Sequence, residues 1–138
     1  MDNINSCYED IGITISEIQR YFTREQYNSE LWLAVKEECK EKIVATGIAE
    51  LDREIGEGVL EWIQVSKDYR RCGLGSYLVC ELLWRMRKAV GFVTVSGKCR
   101  NPDHSEDLYR KCGFGGDDVW HILREREQTA AAEEKETP

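Results

Sequence analysis

The sequence is short of the features that mark several classes of protein. It has 2 prolines and 2 histidines in 138 residues, and no apolar stretch approaches the roughly 20 residues that a membrane-spanning helix needs. Basic residues are in the minority, with 19 Lys and Arg against 26 Asp and Glu and a net charge of −7. The chain is therefore predicted to cross no membrane and to bind no nucleic-acid backbone, since such binding rewards clustered cations.

The cysteines and histidines match no common metal site. Successive cysteines lie 32, 33, 8, 19 and 13 residues apart, so the sequence has no Cys-x-x-Cys pair. Neither histidine can therefore join such a pair in a zinc-finger site. We therefore expect no metal. The first ten residues carry acids and Asn in place of a basic segment followed by an apolar one, so we expect no secretory signal, and reduced thiols in a cytoplasmic chain.

The residues that are present suit one packed domain. Apolar residues make up 41% of the chain, enough for one core at this length and too few for two domains. From residue 128 onward the chain is rich in Ala and Glu and has no aromatic residue. We therefore predict a single domain over residues 1–127 and a disordered acidic tail over residues 128–138.

Hydrophobic periodicity predicts a mixture of helices and strands. The predicted elements are a helix at 14–26, strands at 31–36, 43–52 and 59–65, a helix at 73–90, a strand at 92–96, a helix at 105–112 and a strand at 119–123. The first helix has two candidate caps, Thr14 and Ser16, each with Glu or Gln three residues later as in a capping box. Because the strands first follow one another as hairpins and later alternate with helices, we expect an α/β (α+β) fold, a mixed sheet flanked by helices.

A glycine-containing loop at residues 66–76 joins the third strand to the long helix. Gly73 and Gly75 would let a ligand approach the backbone, Arg70 and Arg71 carry positive charge, and the first N–H groups of a helix have no acceptor within it. These features predict a phosphate-binding site. In the alternative interpretation, the glycines serve only a tight turn and the arginines are solvated.

Two common nucleotide-binding motifs do not fit this loop. A Walker loop needs a glycine followed by Lys and Ser or Thr, whereas Gly75 is followed by Ser76 and Tyr77. A dinucleotide fingerprint needs a third glycine at the position of Leu78. A different phosphate ligand is therefore expected.

The pattern Arg70-x-x-Gly73-x-Gly75 resembles the acyl-CoA pyrophosphate loop of the GNAT-type N-acetyltransferases. Residues 60–65 are similar to the strand that precedes this loop in the family, and Asn101 with residues 108–114 resembles its second signature, an Asn followed by Leu-Tyr-x-x-x-Gly-Phe. The resemblance extends over about residues 31–123. Within it, residues 61–65, 93–97 and 118–121 resemble a bacterial branch of the family whose substrate is unassigned.

This resemblance implies a GNAT-like acyl-CoA N-acyltransferase fold. Family members usually begin with a strand and a helix before the helix predicted at 14–26. Residues 1–12 make a poor strand, so we expect this chain to lack the family's first strand and helix. The missing part often contributes to the acceptor pocket.

Two functions follow from the resemblance. The first is an N-acetyltransferase that moves an acetyl group from acetyl-CoA to a primary amine by direct transfer through a ternary complex, without a metal. Its acceptor would be a small amine or a peptide amino-terminus, and a homodimer is possible. The alternative is a non-catalytic acyl-CoA-binding module with an incomplete acceptor pocket.

The resemblance also implies which residues bind acetyl-CoA. It places the pantetheine arm along the backbone of Ile63, Gln64 and Val65. The residues implied in holding the pyrophosphate are Arg70, Arg71, Cys72, Gly73, Leu74, Gly75 and Ser76. Asn101 either bonds the pantetheine or orders its own loop.

Two residues are candidates for proton transfer. Tyr109 matches the family tyrosine that can protonate the departing thiolate, since a phenol with a pKa of about 10 is a plausible acid for that step; its alternative role is that of a core tyrosine. Glu61 is the candidate base, because it lies two residues before Ile63 and is expected on the same face of the strand. Glu50 and a chain of water molecules are the rivals of Glu61.

Two cysteines raise the question of a covalent acetyl-cysteine route. Cys72 and Cys112 are the candidates, because a thiol at a helix N-terminus can have a lowered pKa. The alternative is that they are buried cysteines that fill small apolar spaces.

Overall fold

The computed structural model describes residues 13–97, 105–116 and 118–119. Its regular elements are α1 (Ile15–Tyr21), β1 (Trp32–Glu37), β2 (Lys42–Asp52), β3 (Glu57–Val65), α2 (Leu74–Met86), β4 (Phe92–Val95) and α3 (Ser105–Lys111), with short 3-10 turns at Ser29–Leu31 and Lys67–Tyr69. The predicted order of elements is confirmed as far as α3. Apart from Val119, the predicted strand at 119–123 lies outside the described residues, and so does the predicted tail.

Helix α1 begins with a capping box and is shorter than predicted. The backbone N–H of Glu17 donates to the Thr14 hydroxyl at 3.2 Å, and the Glu17 carboxylate accepts from the Thr14 backbone N–H at 2.7 Å. The helix ends at Tyr21, and the prediction that it continues to residue 26 is wrong. Beyond Tyr21 the backbone N–H groups of residues 22–24 bond to carbonyls three residues back, and the Phe22 ring packs against Trp32 with ring centres 5.1 Å apart.

The four described strands form one mixed sheet, as predicted, and their order in it is β1-β2-β3-β4. Strands β1, β2 and β3 pair antiparallel, and β4 pairs parallel to β3. The pairing of β2 with β3 contains a bulge: Ile48 lies opposite Trp62 and Ala49 lies opposite Leu60. Glu61 is therefore the extra residue of β3, and such a residue locally disrupts the ladder and re-aims side chains.

One face of the sheet, here called the α2 face, packs against helix α2. Its main core cluster consists of Leu31, Ala49, Leu51 and Leu60 together with Val79, Leu82 and Met86 of α2. The helix approaches the sheet closely at Gly58, where an added Cβ atom would lie 2.7 Å from the Met86 sulfur. Helix α2 thus closes this face with tight aliphatic packing.

The opposite face, here called the α1 face, carries a smaller cluster. Ile13 and Ile48 are its buried members, and Ile18, Tyr21, Trp32 and Trp62 pack around them. Over the ranges that the structure describes, no helix is both long and apolar enough to cross a membrane.

Candidate active site

The N-terminus of α2 is open and uncapped. Gly73 occupies the cap position with a left-handed backbone (φ 82°, ψ −2°) and, having no side chain, makes no side-chain cap bond to the first N–H groups of the helix. An added Cβ atom at Gly73 would meet nothing within 4 Å, so there is space in front of the helix. Free N–H groups and the positive end of the helix dipole favour an anion here.

The second glycine of the loop serves packing. A Cβ atom at Gly75 would lie 3.2 Å from a methyl carbon of Leu108. Its missing side chain therefore lets α3 pack against the first turn of α2, whereas the missing side chain at Gly73 leaves room in front of the loop.

The arginines and the cysteine of the loop differ in their surroundings. The Arg70 side chain is half-buried, and its Nε donates to the Val65 carbonyl at 3.3 Å. Arg71 is exposed and has a positive φ of 65°. Cys72 is also exposed, and its thiol donates to the Arg70 carbonyl at 3.5 Å. The interpretation of Cys72 as a buried apolar filler is therefore wrong, because its position in the turn faces solvent.

The start of the loop is tied to the β1–β2 hairpin. The Tyr69 hydroxyl donates to the Glu37 carboxylate at 2.5 Å, and Lys40 bonds to both groups at 3.3 Å. The hydrogen bond from Tyr69 lowers the pKa of Glu37 below its ordinary value. These bonds join two segments that are 32 residues apart in sequence, and they hold the loop against the sheet.

Strand β3 runs on past its pairing with β4. The parallel register covers Glu57 to Leu60 of β3 and ends where Leu60 lies opposite Val95. The following part of β3 includes Ile63, Gln64 and Val65, and it leads directly into the loop. The described pairing with β4 thus ends before the segment of β3 that leads towards the N-terminus of α2.

The structure places Glu61 on the α1 face. Ile63 packs against the main core cluster, as Leu60 does, while Trp62 packs in the cluster of the α1 face. Glu61 interacts electrostatically with Glu50 and with Arg24. The prediction that Glu61 and Ile63 share a face is therefore wrong, because the bulge reverses the alternation between them.

Arg24 forms an ion pair with Glu50 and so gives the two candidate bases, Glu50 and Glu61, different surroundings. Its guanidinium lies 2.8 Å from the Glu50 carboxylate, whose side chain is only 12% exposed, and 4.0 Å from the centre of the Tyr21 ring. Arg24 and Glu50 are 26 residues apart in sequence, so no local motif indicates that they form a pair. Sequence reasoning missed Arg24 for this reason.

The electrostatic surroundings favour a proton on Glu61. Partial desolvation by the neighbouring atoms raises the pKa of Glu61 above its ordinary value, Glu50 raises it further, and Arg24 lowers it. By surface area Glu61 remains exposed, so the carboxyl group can still be reached from solvent. A carboxylate with a raised pKa is a better proton acceptor than an ordinary one.

The second signature around Tyr109 forms the end of α3. The N–H of Gly113 donates to the Arg110 carbonyl at 3.1 Å, and the N–H of Phe114 donates to the Tyr109 carbonyl at 3.1 Å. Gly113 has a positive φ of 95°, and the Tyr109 and Phe114 rings lie edge to face with centres 5.9 Å apart. These are the two bonds and the apolar contact of a Schellman motif. The spacing Tyr-x-x-x-Gly-Phe thus fixes the ring of Tyr109, which is half-buried against the main core cluster.

Cys112 is partly buried beside the first turns of α2. Burial raises the pKa of its thiol, and the thiol of Cys80 acts in the same direction, while the Ser76 hydroxyl acts in the opposite direction. A raised pKa keeps the thiol protonated, so the geometry does not favour Cys112 as a nucleophile.

Some expectations fall outside the described residues. Asn101 lies in the segment between β4 and α3 that is not described. Within residues 13–97, 105–116 and 118–119, no group of three or more His, Cys, Asp or Glu side chains could hold a metal ion.

Solved structures with a similar fold are N-acetyltransferases. Glucosamine-6-phosphate N-acetyltransferase from Arabidopsis thaliana is 20% identical, with a TM-score of 0.67 over 89% of this chain and 86% of the other. The ribosomal-protein-S18-alanine N-acetyltransferase from Escherichia coli is 20% identical, with a TM-score of 0.64 over 83% and 69% of the two chains. An aminoglycoside 6′-N-acetyltransferase from Acinetobacter haemolyticus is 19% identical, with a TM-score of 0.59 over 82% and 80%. At these identities the likeness shows the fold.

Sequence comparison supplies the family. No curated protein matches the chain. The model of the acetyltransferase (GNAT) domain matches residues 27–115, which cover most of the chain and include β1 to α3 with the loop before α2. The chain therefore belongs to the GNAT acetyltransferase family.

Proposed function

We propose that this chain is an acetyl-CoA-dependent N-acetyltransferase that transfers an acetyl group directly to a primary amine within a ternary complex. The observation that carries the proposal is the open, uncapped end of α2 at Gly73, which directly follows the stretch of β3 that runs past β4. An elongated ligand with a pyrophosphate at one end fits this succession of features, and the CoA of the family is such a ligand.

In the proposed complex, the pyrophosphate lies against the backbone N–H groups from Arg71 to Ser76. Gly73 leaves the space that it needs, and the exposed Arg71 side chain adds positive charge. The pantetheine arm then runs along the backbone of Ile63, Gln64 and Val65. Asn101 stays a predicted contact of the arm.

The α1 face receives the amine. Glu50 is committed to its ion pair with Arg24, whereas the pKa of Glu61 is raised mainly by desolvation and secondly by Glu50. This difference supports Glu61 as the base. The three groups together carry a charge of −1 when both carboxylates are ionised, which attracts an ammonium ion to the site.

The proposed reaction moves two protons and one acyl group. The amine nitrogen attacks the thioester carbon, so that a C–N bond forms and the C–S bond breaks. The attacking amine is neutral, formed when the ammonium ion loses a proton to solvent. Glu61 takes a proton from its nitrogen, and the departing thiolate takes a proton from the Tyr109 hydroxyl. Solvent then removes the proton from Glu61 and returns one to Tyr109. The products are an amide and CoA, and backbone N–H groups at the end of β3 would stabilise the charge on the thioester oxygen during the transfer.

Several finer points belong to the proposal. The names of the solved neighbours include amino sugars and a ribosomal protein, so both a small amine and a peptide amino-terminus are kept as acceptor classes. The cytoplasmic location, the bacterial branch and the homodimer stay predictions. The described cysteines, which are Cys39, Cys72, Cys80 and Cys112, are free thiols.

The test follows CoA thiol release from acetyl-CoA in the presence of glucosamine 6-phosphate, an alanine-initiated peptide and an aminoglycoside. We expect amine-dependent release, and Glu61→Gln should lower turnover by about 10²- to 10⁴-fold, the range for a lost general base. The control is Glu54→Gln, which changes an exposed carboxylate in the turn between β2 and β3.

The possible results separate the two functions. A parent chain that binds acetyl-CoA and acetylates no amine would support the non-catalytic binding module. A parent chain that binds neither CoA nor acetyl-CoA would contradict both functions. Full turnover by Glu61→Gln would remove Glu61 from the mechanism.

A further inference from the structure

One buried side chain on β3 has a polar atom that the fold leaves unsatisfied. Gln64 is 3% exposed, and its amide oxygen accepts a hydrogen bond from the Thr46 hydroxyl at 2.9 Å. Its amide nitrogen, Nε2, is fully buried and has no hydrogen-bond partner within the part of the chain that the structure describes. The indole nitrogen of Trp32 is a second buried donor without a partner on the same face of the sheet.

A buried donor without a partner lowers the stability of the folded state, so its presence needs an explanation. Leaving a buried donor unsatisfied costs about 1–3 kcal/mol, while an apolar side chain of the same shape would cost nothing of the kind. Turning the amide over would leave its oxygen unsatisfied in place of its nitrogen, so one polar atom of Gln64 is orphaned in either orientation. Native proteins keep few such groups, and functional sites are one place where they are kept.

Gln64 also lies where a ligand would pass. It is on the part of β3 beyond the pairing with β4, between the bulge at Glu61 and the loop before α2. Across the sheet it stands in one row with Thr46 and Ala34. Exposure rises along this row, from the buried Gln64 through the half-buried Thr46 to the exposed Ala34, so the row reaches solvent at its other end.

The charges of this face indicate what kind of atom would meet the amide. The amide is an uncharged donor, and three interacting groups on the same face, Arg24, Glu50 and Glu61, sum to a charge of −1 when both carboxylates are ionised. A negative surrounding disfavours an anion. An uncharged oxygen can accept the hydrogen bond without that penalty.

We propose that Gln64 is a binding residue whose amide N–H donates to an uncharged oxygen, a carbonyl or a hydroxyl, of the bound substrates. This proposal rests on the proposed function, because the oxygen belongs either to the acetyl-CoA arm or to the acceptor amine. It adds a side-chain contact to the backbone contacts that the resemblance assigns to Ile63, Gln64 and Val65.

The experiment replaces Gln64 with Leu, which keeps most of the volume and removes the amide. Three quantities are measured for the parent and for Gln64→Leu: the melting temperature without ligand, the Kd values of CoA and acetyl-CoA by calorimetry, and the KM values of 2-aminoethanol and propylamine at saturating acetyl-CoA. These two amines differ by the exchange of a hydroxyl for a methyl group. Gln19→Leu is the matched control, since Gln19 is exposed on α1. If Gln64→Leu does not fold, Gln64→Met takes its place.

We expect Gln64→Leu to melt at a higher temperature than the parent, because it removes the orphaned donor, and to bind one ligand about tenfold more weakly. An equal loss for CoA and acetyl-CoA assigns the oxygen to the pantetheine arm, and a loss for acetyl-CoA alone assigns it to the thioester. An increase in KM for 2-aminoethanol without one for propylamine assigns it to the acceptor.

A variant that keeps the parent's Kd values and the parent's relative use of the two amines overturns the proposal, and Gln64 is then a buried side chain satisfied by water. A parent chain that binds no CoA contradicts the proposed function instead. The melting temperatures still report, in that case, whether Nε2 is orphaned.

Discussion

The two faces of the sheet are built in opposite ways. On the α2 face, the largest fully buried side chains are Leu78, Val79, Leu82 and Met86, all from one helix. The α1 face has aromatic rings of intermediate exposure, an ion pair, a carboxyl group with a raised pKa and two orphaned donors. The first face is closely packed and the second has unsatisfied groups, so we expect most of the stability to come from the α2 face, while acceptor binding at the α1 face is part of the proposed function.

Tyr109 gives the most direct test of this division of roles between the two faces, because it packs against the main core cluster and is also the proposed acid. Tyr109→Phe keeps the ring and its contact with Phe114, so acetyl-CoA binding should survive. Turnover should fall by about 10²- to 10⁴-fold if the hydroxyl protonates the thiolate. Turnover, the Kd of acetyl-CoA and the melting temperature are measured on the same two proteins. Unchanged turnover in an active parent would leave Tyr109 with a structural role alone.

Leu82→Ala sharpens the comparison from the side of stability. Leu82 has no exposed surface, and truncating such a leucine costs about 2–5 kcal/mol through lost burial and the cavity left behind. Urea denaturation measures the loss, and turnover per folded molecule should be retained. Tyr77→Ala is the control on the same helix, because Tyr77 is 61% exposed and should contribute little. An equal loss of stability in the two variants would mean that α2 does not close the core through its buried side.

The cap of α2 allows a test of the phosphate site that holds backbone strain nearly constant. Asn and Asp have the same shape and both tolerate a left-handed backbone such as that of Gly73. Gly73→Asp places a negative charge in front of the helix and should weaken CoA binding by more than tenfold relative to Gly73→Asn, because it repels the pyrophosphate. Calorimetry with CoA measures both Kd values. Equal affinities would show that the pyrophosphate binds elsewhere.

The smallest expected effect concerns the charges of the α1 face. Desolvation and Glu50 raise the pKa of Glu61 and Arg24 lowers it, so Arg24→Met should raise the pKa further and Glu50→Gln should lower it. A base is active when ionised, so activity falls as pH falls through its pKa. The acidic limb of the kcat/KM profile should therefore move to higher pH in Arg24→Met and to lower pH in Glu50→Gln. Shifts in the same direction would mean that the pair acts on the fold and not on Glu61.

Local patterns predicted most of the elements and the glycine-containing loop before α2. The capping box at Thr14, the apolar stripe of α2 and the glycine pattern at Gly73 each lie within a few residues, so neighbouring side chains specify them. The end of α1 differs from the prediction: three-residue turns begin after Tyr21, and Phe22 packs there against Trp32, ten residues away in the sequence. No periodicity in the helix contains that contact.

The α1 face shows what local patterns could not supply. Regular alternation placed Glu61 with Ile63, and the bulge opposite Ile48 and Ala49 reversed that arrangement. A bulge arises from the pairing of two strands, so it has no signal in the sequence of either strand alone. The ion pair between Arg24 and Glu50 likewise joins residues that are 26 positions apart in the sequence.

The sequence by itself determined the mixed sheet flanked by helices and its GNAT type, because hydrophobic periods and turn residues act over short distances and the loop motif is contiguous. Only the tertiary structure decided which face Glu61 occupies, which carboxylate Arg24 neutralises, that Gly75 serves packing while Gly73 leaves space, and that Gln64 is buried with an unsatisfied donor. The physical reason is that each of these depends on groups brought together by strand register and helix packing, and these are set by the burial of the whole core.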